Sequence, residues 1–279
     1  MSISPSTFYY KPKKSRAQRD FEDAQIREKI EEIQTDFLYA GYRTVRTYLF
    51  RRTGRWYNYK KIRRIMNKYG LQAQVRKRFI KTTDSKHGFP VYQNLISGKT
   101  ITGINQVWVA DITYIRIATG FVYLAVILDI YSRRVIGWAL SKTLTHTFAL
   151  KALKVAIEKR KPSPGLIHHS DQGVQYACAK YVEELKENGI EISMSRKGNP
   201  YDNAFAESFI KTLKKEEVYL WEYDNFIDVV ERIPYFIDQV YNRERIHSKI
   251  GYLPPVEFET ILTEKQEKDN TDQNKLIIS

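Results

Sequence analysis

Apolar positions recur along this 279-residue chain with two different periods, and the change between them divides it. Up to residue 70 the period is helical. Ile26, Ile30, Ile33 and Phe37 fall on one stripe of a helix expected over residues 21–38, with Arg27, Glu28, Lys29 and Glu31 off it. After Gly41 a second short helix carries Val45, Tyr48 and Leu49 inward and Arg43, Arg46, Arg51 and Arg52 outward, until Thr53-Gly54 breaks it. Asn58 is a suitable N-cap for a third helix that Gly70 ends, with Ile62, Ile65, Met66 and Tyr69 at i, i+3, i+4 and i+7. Its other face is Lys60, Lys61, Arg63, Arg64 and Lys68. From about residue 71 to 106 polarity is mixed and no period survives; Gly88, Pro90, Gly98 and Gly103 give this stretch the texture of a linker.

Beyond residue 106 the pattern is that of strands. Residues 107–117, 121–131 and 135–140 are rich in Val, Ile, Tyr and Trp, and Ala118-Thr119-Gly120 and Ser132-Arg133-Arg134 separate them, so three antiparallel strands are expected. A helix over 145–161, a strand over 166–169, a helix over 174–188 and a strand over 190–194 follow. A meander followed by alternating strands and helices implies an α/β domain, a mixed sheet with helices on its faces. Helices over 203–219 and 226 to about 245 come next, the second kinked or divided at Pro234, and residues 264–274 read as a polar, disordered tail. The expected organisation is a helical region over 1–75, a linker over 76–104, a core over 105–262 and a tail over 263–279.

Composition sharpens this. Hydrophobic residues make up 42% of the chain and aromatics 13%, enough to fill real cores. A single cysteine, Cys178, excludes an internal disulfide framework, and with five scattered histidines a zinc finger of standard spacing is excluded too. No run of 18 apolar residues and no leader-like N-terminus occurs, so a cytoplasmic protein without a membrane segment is expected. The net charge of +14 is strongly segregated: residues 1–100 hold 23 Lys and Arg against 8 Asp and Glu, and the remainder is close to neutral. Such a block is the electrostatic footprint of a polyanion, most often nucleic acid. The third helix, apolar inside and basic outside, suits a helix-turn-helix unit laid along DNA, with Lys60, Lys61, Arg63 and Arg64 toward phosphates; Arg76, Lys77, Arg78 and Lys81 could track the backbone further.

Three carboxylates carry the chemistry. Asp111 lies mid-strand in Trp108-Val109-Ala110-Asp111-Ile112, where a charge is costly unless paired or bound to metal. Asp171 follows the strand 166–169 in His168-His169-Ser170-Asp171-Gln172-Gly173, at a strand end, where ligands of open α/β sheets gather. Glu207 follows Asp171 with 35 residues between them, on a helical face shared with Asn203, Lys211 and Lys214. Singly, Asp171 has an ordinary reading as a turn and Glu207 as a solvated salt-bridge face; together with Asp111 they suggest a site. Hard oxygen donors without a cysteine select Mg²⁺ or Mn²⁺, and three carboxylates can hold two such ions, one at the attacking and one at the leaving oxygen of a phosphoryl displacement. Asp129 is equally conspicuous, but Arg133 and Arg134 follow it closely and an ion pair steadying the hairpin is expected instead.

These residues resemble the transposases of bacterial insertion sequences with a retroviral-integrase-type core, the class named for its Asp, Asp and Glu. The likeness rests on Trp108 to Asp111, on His168 to Gly173, on Asn199-Pro200-Tyr201-Asp202-Asn203 leading to Glu207-Ser208-Phe209, and on the 35-residue interval. Lys214 corresponds to a basic residue that the family places against DNA, and Tyr241-Asn242, Arg245, His247 and Gly251 to Pro255 resemble its C-terminal signature. Upstream, Tyr39 to Arg43 and Lys60 to Met66 resemble the helical region preceding the core. The resemblance implies a ribonuclease-H-like fold, two divalent ions on Asp111, Asp171 and Glu207, and DNA contacts from Lys214, Lys211 and Asn203. It also implies cleavage at transposon ends, joining of the 3′-hydroxyl to target DNA, and homo-oligomers on double-stranded DNA near the nucleoid. An upstream-frame partner or frameshift fusion belongs to many such elements, and no sustained heptad occurs in this chain. Two alternatives stay open: a nuclease of the same fold without strand transfer, and a non-catalytic repressor bound to transposon ends.

Overall fold

The computed structural model describes residues 15–73, 89–196 and 203–278, with side chains to residue 268. Arg76, Lys77, Arg78 and Lys81 therefore lie outside the described residues. The chain separates into two compact units at Arg76/Lys77.

The first unit is helical. Helix α1, Arg16–Asp36, starts well before its apolar stripe because Ser15 and Gln18 form a reciprocal capping box. Helix α2, Tyr42–Thr53, stops at Gly54, whose φ of +67° lets its N–H reach the Phe50 carbonyl at 2.7 Å. Helix α3, Tyr59–Lys68, begins on Asn58, whose side chain accepts the Lys60 N–H at 2.8 Å. Ile30, Ile33, Val45, Leu49, Ile62 and Ile65 are fully buried as the three helices pack on one another. The basic face of α3, however, does not point wholly into solvent. Lys61 meets Glu22 at 3.4 Å, Arg64 meets Asp23 at 2.7 Å and Lys68 meets Asp20 at 2.9 Å, so acidic residues of α1 neutralise one stripe of it. Asp23 is 1% exposed, so Arg64→Ala leaves a buried carboxylate without its guanidinium. We expect that substitution to cost about 1–3 kcal/mol in thermal unfolding, since half of Arg64 is hydrated. Lys68→Ala, which breaks a solvent-bathed pair, should leave the melting temperature nearly unchanged.

The second unit is built on a five-stranded mixed sheet of the ribonuclease-H-like kind. Strands β1 (Val107–Ile117), β2 (Gly120–Asp129) and β3 (Val135–Ser141) form the antiparallel meander, and β4 (Ile167–Ser170) and β5 (Glu191–Met194) run parallel to β1 in the order β3-β2-β1-β4-β5. Helix α4, His146–Arg160, covers one face with α5 (Val174–Ala177) and α6 (Ala179–Glu187), burying Trp108, Ile127, Ile136, Leu153 and Tyr181. Gly137 allows the close approach of α4: a Cβ there would stand 2.3 Å from the Ala152 carbonyl oxygen. The expected helix over 174–188 is broken at Cys178, and the break lets Tyr176 and Tyr181 both pack on the ring of His168.

The other face carries α7, Ala204–Leu213, and α8, Phe226–Tyr235, with Phe209, Leu213, Val229 and Ile233 buried against Val109, Ile115 and Val126. Both helices widen into π-helical turns, α7 at Lys214–Val218 and α8 at Phe236–Glu244. The second widening follows Pro234, which lacks an N–H and crowds the preceding turn, as the expected kink requires. Part of the expected linker belongs to this unit: Leu95 donates its N–H to Ser193 Oγ at 2.9 Å, and Leu95, Ile96 and Ile101 pack on the core. At the other end, helix α9 runs Pro255–Ile278 where a disordered tail is expected. No proline or glycine interrupts it after Pro255, and Glu, Lys and Gln favour helix. Asp129 corrects a third expectation. It makes no ion pair with Arg133 or Arg134; it is buried and accepts hydrogen bonds from the N–H groups of Asn105, Tyr131 and Ser132 at 2.6, 3.0 and 2.9 Å. Arg134 instead shares the buried Glu259 with Arg160.

Candidate active site

Strand register places the two aspartates. Val109 of β1 lies level with His169 of β4 in a parallel pair, so Asp111 and Asp171, each two residues further on, reach the same height at the carboxyl end of β4. Asp111 has the odd parity of Val107, Val109 and Ile115, the strand face against which α7 packs. Asn203, just before α7, donates its Nδ2 to the Ala110 carbonyl at 3.2 Å and so fixes the helix start beside Asp111. Glu207 follows one turn later, exposed on the flank that faces away from the core. Asn199 to Asp202 lie outside the described residues.

Electrostatics shows that the three carboxylates share one field. Asp111 is pushed up to about 8, first by burial, then by Asp171; Glu207 adds to the rise, and the Ile112 N–H and Lys214 oppose it. Glu207 is raised by burial, with Lys211 working against it. Lys214, at the start of the π-helical turn, has its Nζ 4.4 Å from the centre of the Tyr114 ring, and burial lowers its affinity for a proton while Asp111 raises it. Sequence reasoning had no signal for Tyr114, which is far from Lys214 along the chain.

The aspartates are held by their own backbone. Asp111 Oδ1 accepts the Ile112 N–H at 2.8 Å, and Asp171 Oδ1 accepts the Gly173 N–H at 2.9 Å. Gly173 leaves room for the second bond, since a Cβ there would stand 2.9 Å from that same oxygen. Gln172 bonds the Ser195 carbonyl at 3.0 Å and ties the loop to the end of β5. His168 and His169 are interior residues. His168 faces the Tyr181 hydroxyl at 3.0 Å and burial presses it down to about 3, and His169 Nδ1 faces Ser193 Oγ at 2.8 Å. The imidazole of His168 is therefore neutral throughout the physiological range.

Among the described residues, no three Asp, Glu, His or Cys side chains converge closely enough to hold a metal ion as they stand. The donor set nevertheless fits a hard divalent cation. Asp171, after β4, and Glu207, on α7, both act on the Asp111 carboxyl of β1, with Lys214 opposing them at Asp111 and Lys211 acting on Glu207. The Tyr176 hydroxyl is buried without a hydrogen-bond partner beside Asp111 and Asp171, and Asn203 Oδ1 is likewise buried and unpartnered. Unsatisfied oxygen beside an anionic cluster is what a hydrated cation would complete.

The remaining residues singled out by sequence divide between the two units. Asn203 is buried against β1, Lys211 is exposed near Glu207, and Lys214 is half-buried on Tyr114. Lys60 and Arg63 are exposed on α3, whereas Lys61 and Arg64 engage Glu22 and Asp23. The C-terminal signature braces the core: Tyr241 packs edge-on against Phe209 at 4.7 Å, and Arg245 grips Glu216 at 2.7 and 2.8 Å.

Comparison with known proteins gives a consistent result. An integrase core domain family matches residues 102–200, a second integrase core domain family matches 188–255, and an HTH-like domain family matches 20–79. The transposase for insertion sequence element IS904 of Lactococcus lactis is 35% identical over 89% of this chain and 97% of its own length. The transposase InsF for insertion sequence IS3A of Escherichia coli is 38% identical over 73% of this chain and 71% of its own. Among solved structures, the HTLV-2 integrase catalytic core domain in complex with magnesium covers 55% of this chain and 95% of its own, at 16% identity and a TM-score of 0.43.

Proposed function

The chain belongs to the family of bacterial insertion-sequence transposases with an integrase-type core, and from that premise we propose that it cuts DNA at the ends of its element and joins the freed 3′-hydroxyl to target DNA. Asp111, Asp171 and Glu207 would hold two divalent cations, Mg²⁺ or Mn²⁺. Bound there, the cations supply positive charge to the attacking and departing oxygens of an in-line phosphoryl displacement. The observation that supports this reading best is geometric: the register of β1 on β4 brings Asp111 and Asp171 to the same sheet end, and Asn203 ties the start of the helix that bears Glu207 to Ala110 beside them.

The chain's own groups have the remaining tasks. Lys214, steadied on the Tyr114 ring, presents an ammonium to a DNA phosphate next to Asp111, and Lys211 extends that cationic edge past Glu207. Asn203 acts through α7, holding the helix that bears Glu207 at a fixed height on β1. Gly173 keeps the Asp171 carboxylate turned by its backbone bond. No helix among the described residues is long and apolar enough to cross a membrane, and we place the protein in the bacterial cytoplasm on double-stranded DNA, as a homo-oligomer and with or without an upstream-frame partner.

The test is incubation of the full chain with labelled duplex carrying the element's terminal sequence, target DNA and Mg²⁺. Nicked and joined products are expected, and Asp171→Asn should reduce both by roughly a thousandfold or more, the loss of a group acting in the transition state. Equal product from wild type and variant would remove the catalytic reading. Nicking without joining would favour the nuclease.

A further inference from the structure

Two kinds of surroundings recur among the cations of the N-terminal unit, and Lys68 and Arg27 have both, each facing a carboxylate and the Tyr69 ring. One set faces carboxylates: Lys61, Arg64 and Lys68 on α3 with Glu22, Asp23 and Asp20, and Arg52 with Asp36 at 2.6 Å. The other set lies on aromatic rings. Arg43 and Arg63 share one ring, Tyr42, at 5.5 and 5.7 Å from its centre; Arg46 lies 4.8 Å over Trp56 and Arg55 lies 5.2 Å over Tyr57. Among the described residues none of these four guanidinium groups is paired with a carboxylate, and Arg46 Nε is buried without a hydrogen-bond partner.

The second set forms one surface. Tyr42, Arg43 and Arg46 occupy neighbouring turns of α2, Arg63 reaches Tyr42 from α3, and the Tyr42 and Tyr59 rings lie 6.4 Å apart across the two helix starts. The turn between the helices adds Trp56, stacked on Phe50 at 4.4 Å and still 55% exposed, and Tyr59 is 43% exposed. A large indole supported from below and left in water has no role in the core of this unit. A guanidinium plane resting on a ring is already ordered and loses little freedom when it takes a phosphate by two bonds. The same surface contains the amino-terminal part of α3, the part of the second helix that enters a groove in helix-turn-helix docking.

We propose that the DNA-contacting face of the N-terminal unit is this arginine-on-ring surface, with Arg43, Arg46, Arg55 and Arg63 on the phosphates of duplex DNA and Tyr42, Trp56 and Tyr57 as their supports. Lys61, Arg64 and Lys68 face the carboxylates of α1 and make no phosphate contact. The proposal rests on the reading of the chain as a protein that acts on DNA, but its test involves no catalysis.

The experiment measures binding of the full chain to a labelled duplex in chelator across a range of salt concentrations. The paired substitution of Arg46→Gln and Arg63→Gln should lower the magnitude of the log–log salt slope by about two and weaken binding roughly tenfold or more, equally for the element's terminal sequence and a scrambled duplex. The pair Lys61→Gln and Lys68→Gln should leave the slope at its wild-type value. Tryptophan emission gives an independent measure: DNA should alter the wild-type spectrum, and Trp56→Phe, which keeps an aromatic support, should remove that change. An unchanged slope in the arginine pair, an equal loss in the lysine pair, or a fluorescence response that survives Trp56→Phe would each overturn the assignment. Because strand cleavage is absent from all arms, failure of the catalytic reading would leave these results interpretable.

Discussion

In chelator at pH 8, Asp111→Asn should melt above the wild-type protein, by about 2–12 °C, although with Mg²⁺ it should yield no nicked or joined DNA. The reason is electrostatic. In the folded protein the Asp111 carboxyl titrates at about 8, because burial and the charges of Asp171 and Glu207 disfavour its ionised form. In the unfolded chain an aspartate titrates near about 3.9. The folded state therefore binds this proton more tightly, so the stability contributed by the group is intact below the unfolded value and falls as pH climbs toward 8. A tenfold difference in proton affinity between the two states is worth about 1.4 kcal/mol, and relaxation around a partly accessible group reduces the total to about 1–3 kcal/mol. For a folded unit of this size, each kcal/mol moves the melting temperature by about 2–4 °C. An amide keeps the shape and removes the charge. The gain of the variant over wild type should accordingly be small at pH 5 and largest at pH 8.

Mg²⁺ should reverse the ranking. It raises the wild-type melting temperature, and more at pH 8 than at pH 6, because a cation on Asp111 must displace the proton that low pH supplies. Asp111→Asn should show little response. A variant that melts below wild type at pH 8, or a Mg²⁺ effect of equal size in both proteins, would separate Asp111 from the cation site.

The contrast between what was legible in sequence and what was not follows from the range of the interactions. Helices α1 to α3, the meander and the Asn58 cap are readable because apolar period and caps act within a few residues. The interval between Asp171 and Glu207 has meaning in the sequence only through the resemblance to the transposases; in the fold it spans α5, α6 and β5. Failures concern partners that are far away along the chain. Arg134 looks available to Asp129 in the sequence, yet its partner is Glu259, 125 residues distant, and Asp129 is satisfied by the turn itself. A helical wheel shows Lys61 and Arg64 on the outside of α3 but cannot show that α1 brings Glu22 and Asp23 there. Tyr114 beneath Lys214 and Tyr176 beside the aspartates are invisible for the same cause.

Asn242 belongs to the same group, and its replacement should have the largest effect on stability of any polar substitution in the C-terminal signature. Its side chain accepts the Val135 N–H at 3.0 Å and donates to the Val135 carbonyl at 2.9 Å, across 107 residues, so it completes both hydrogen bonds of the buried first residue of edge strand β3. Asn242→Ala leaves two buried backbone groups unpaired and should cost about 2–4 kcal/mol, lowering the melting temperature by about 4–16 °C. Asn242→Asp tests the geometry more sharply. One carboxylate oxygen can still accept the N–H, but the other meets the Val135 carbonyl oxygen, which repels it. A protonated carboxyl can donate there, so the folded state holds that proton above the ordinary aspartate range and the variant should recover stability as pH falls. The damage should reach Glu207, because Tyr241, the neighbour of Asn242, packs edge-on against Phe209 of α7. Melting of Asn242→Ala within a degree or so of wild type, or an Asp variant indifferent to pH, would show that β3 is held by its sheet partners alone.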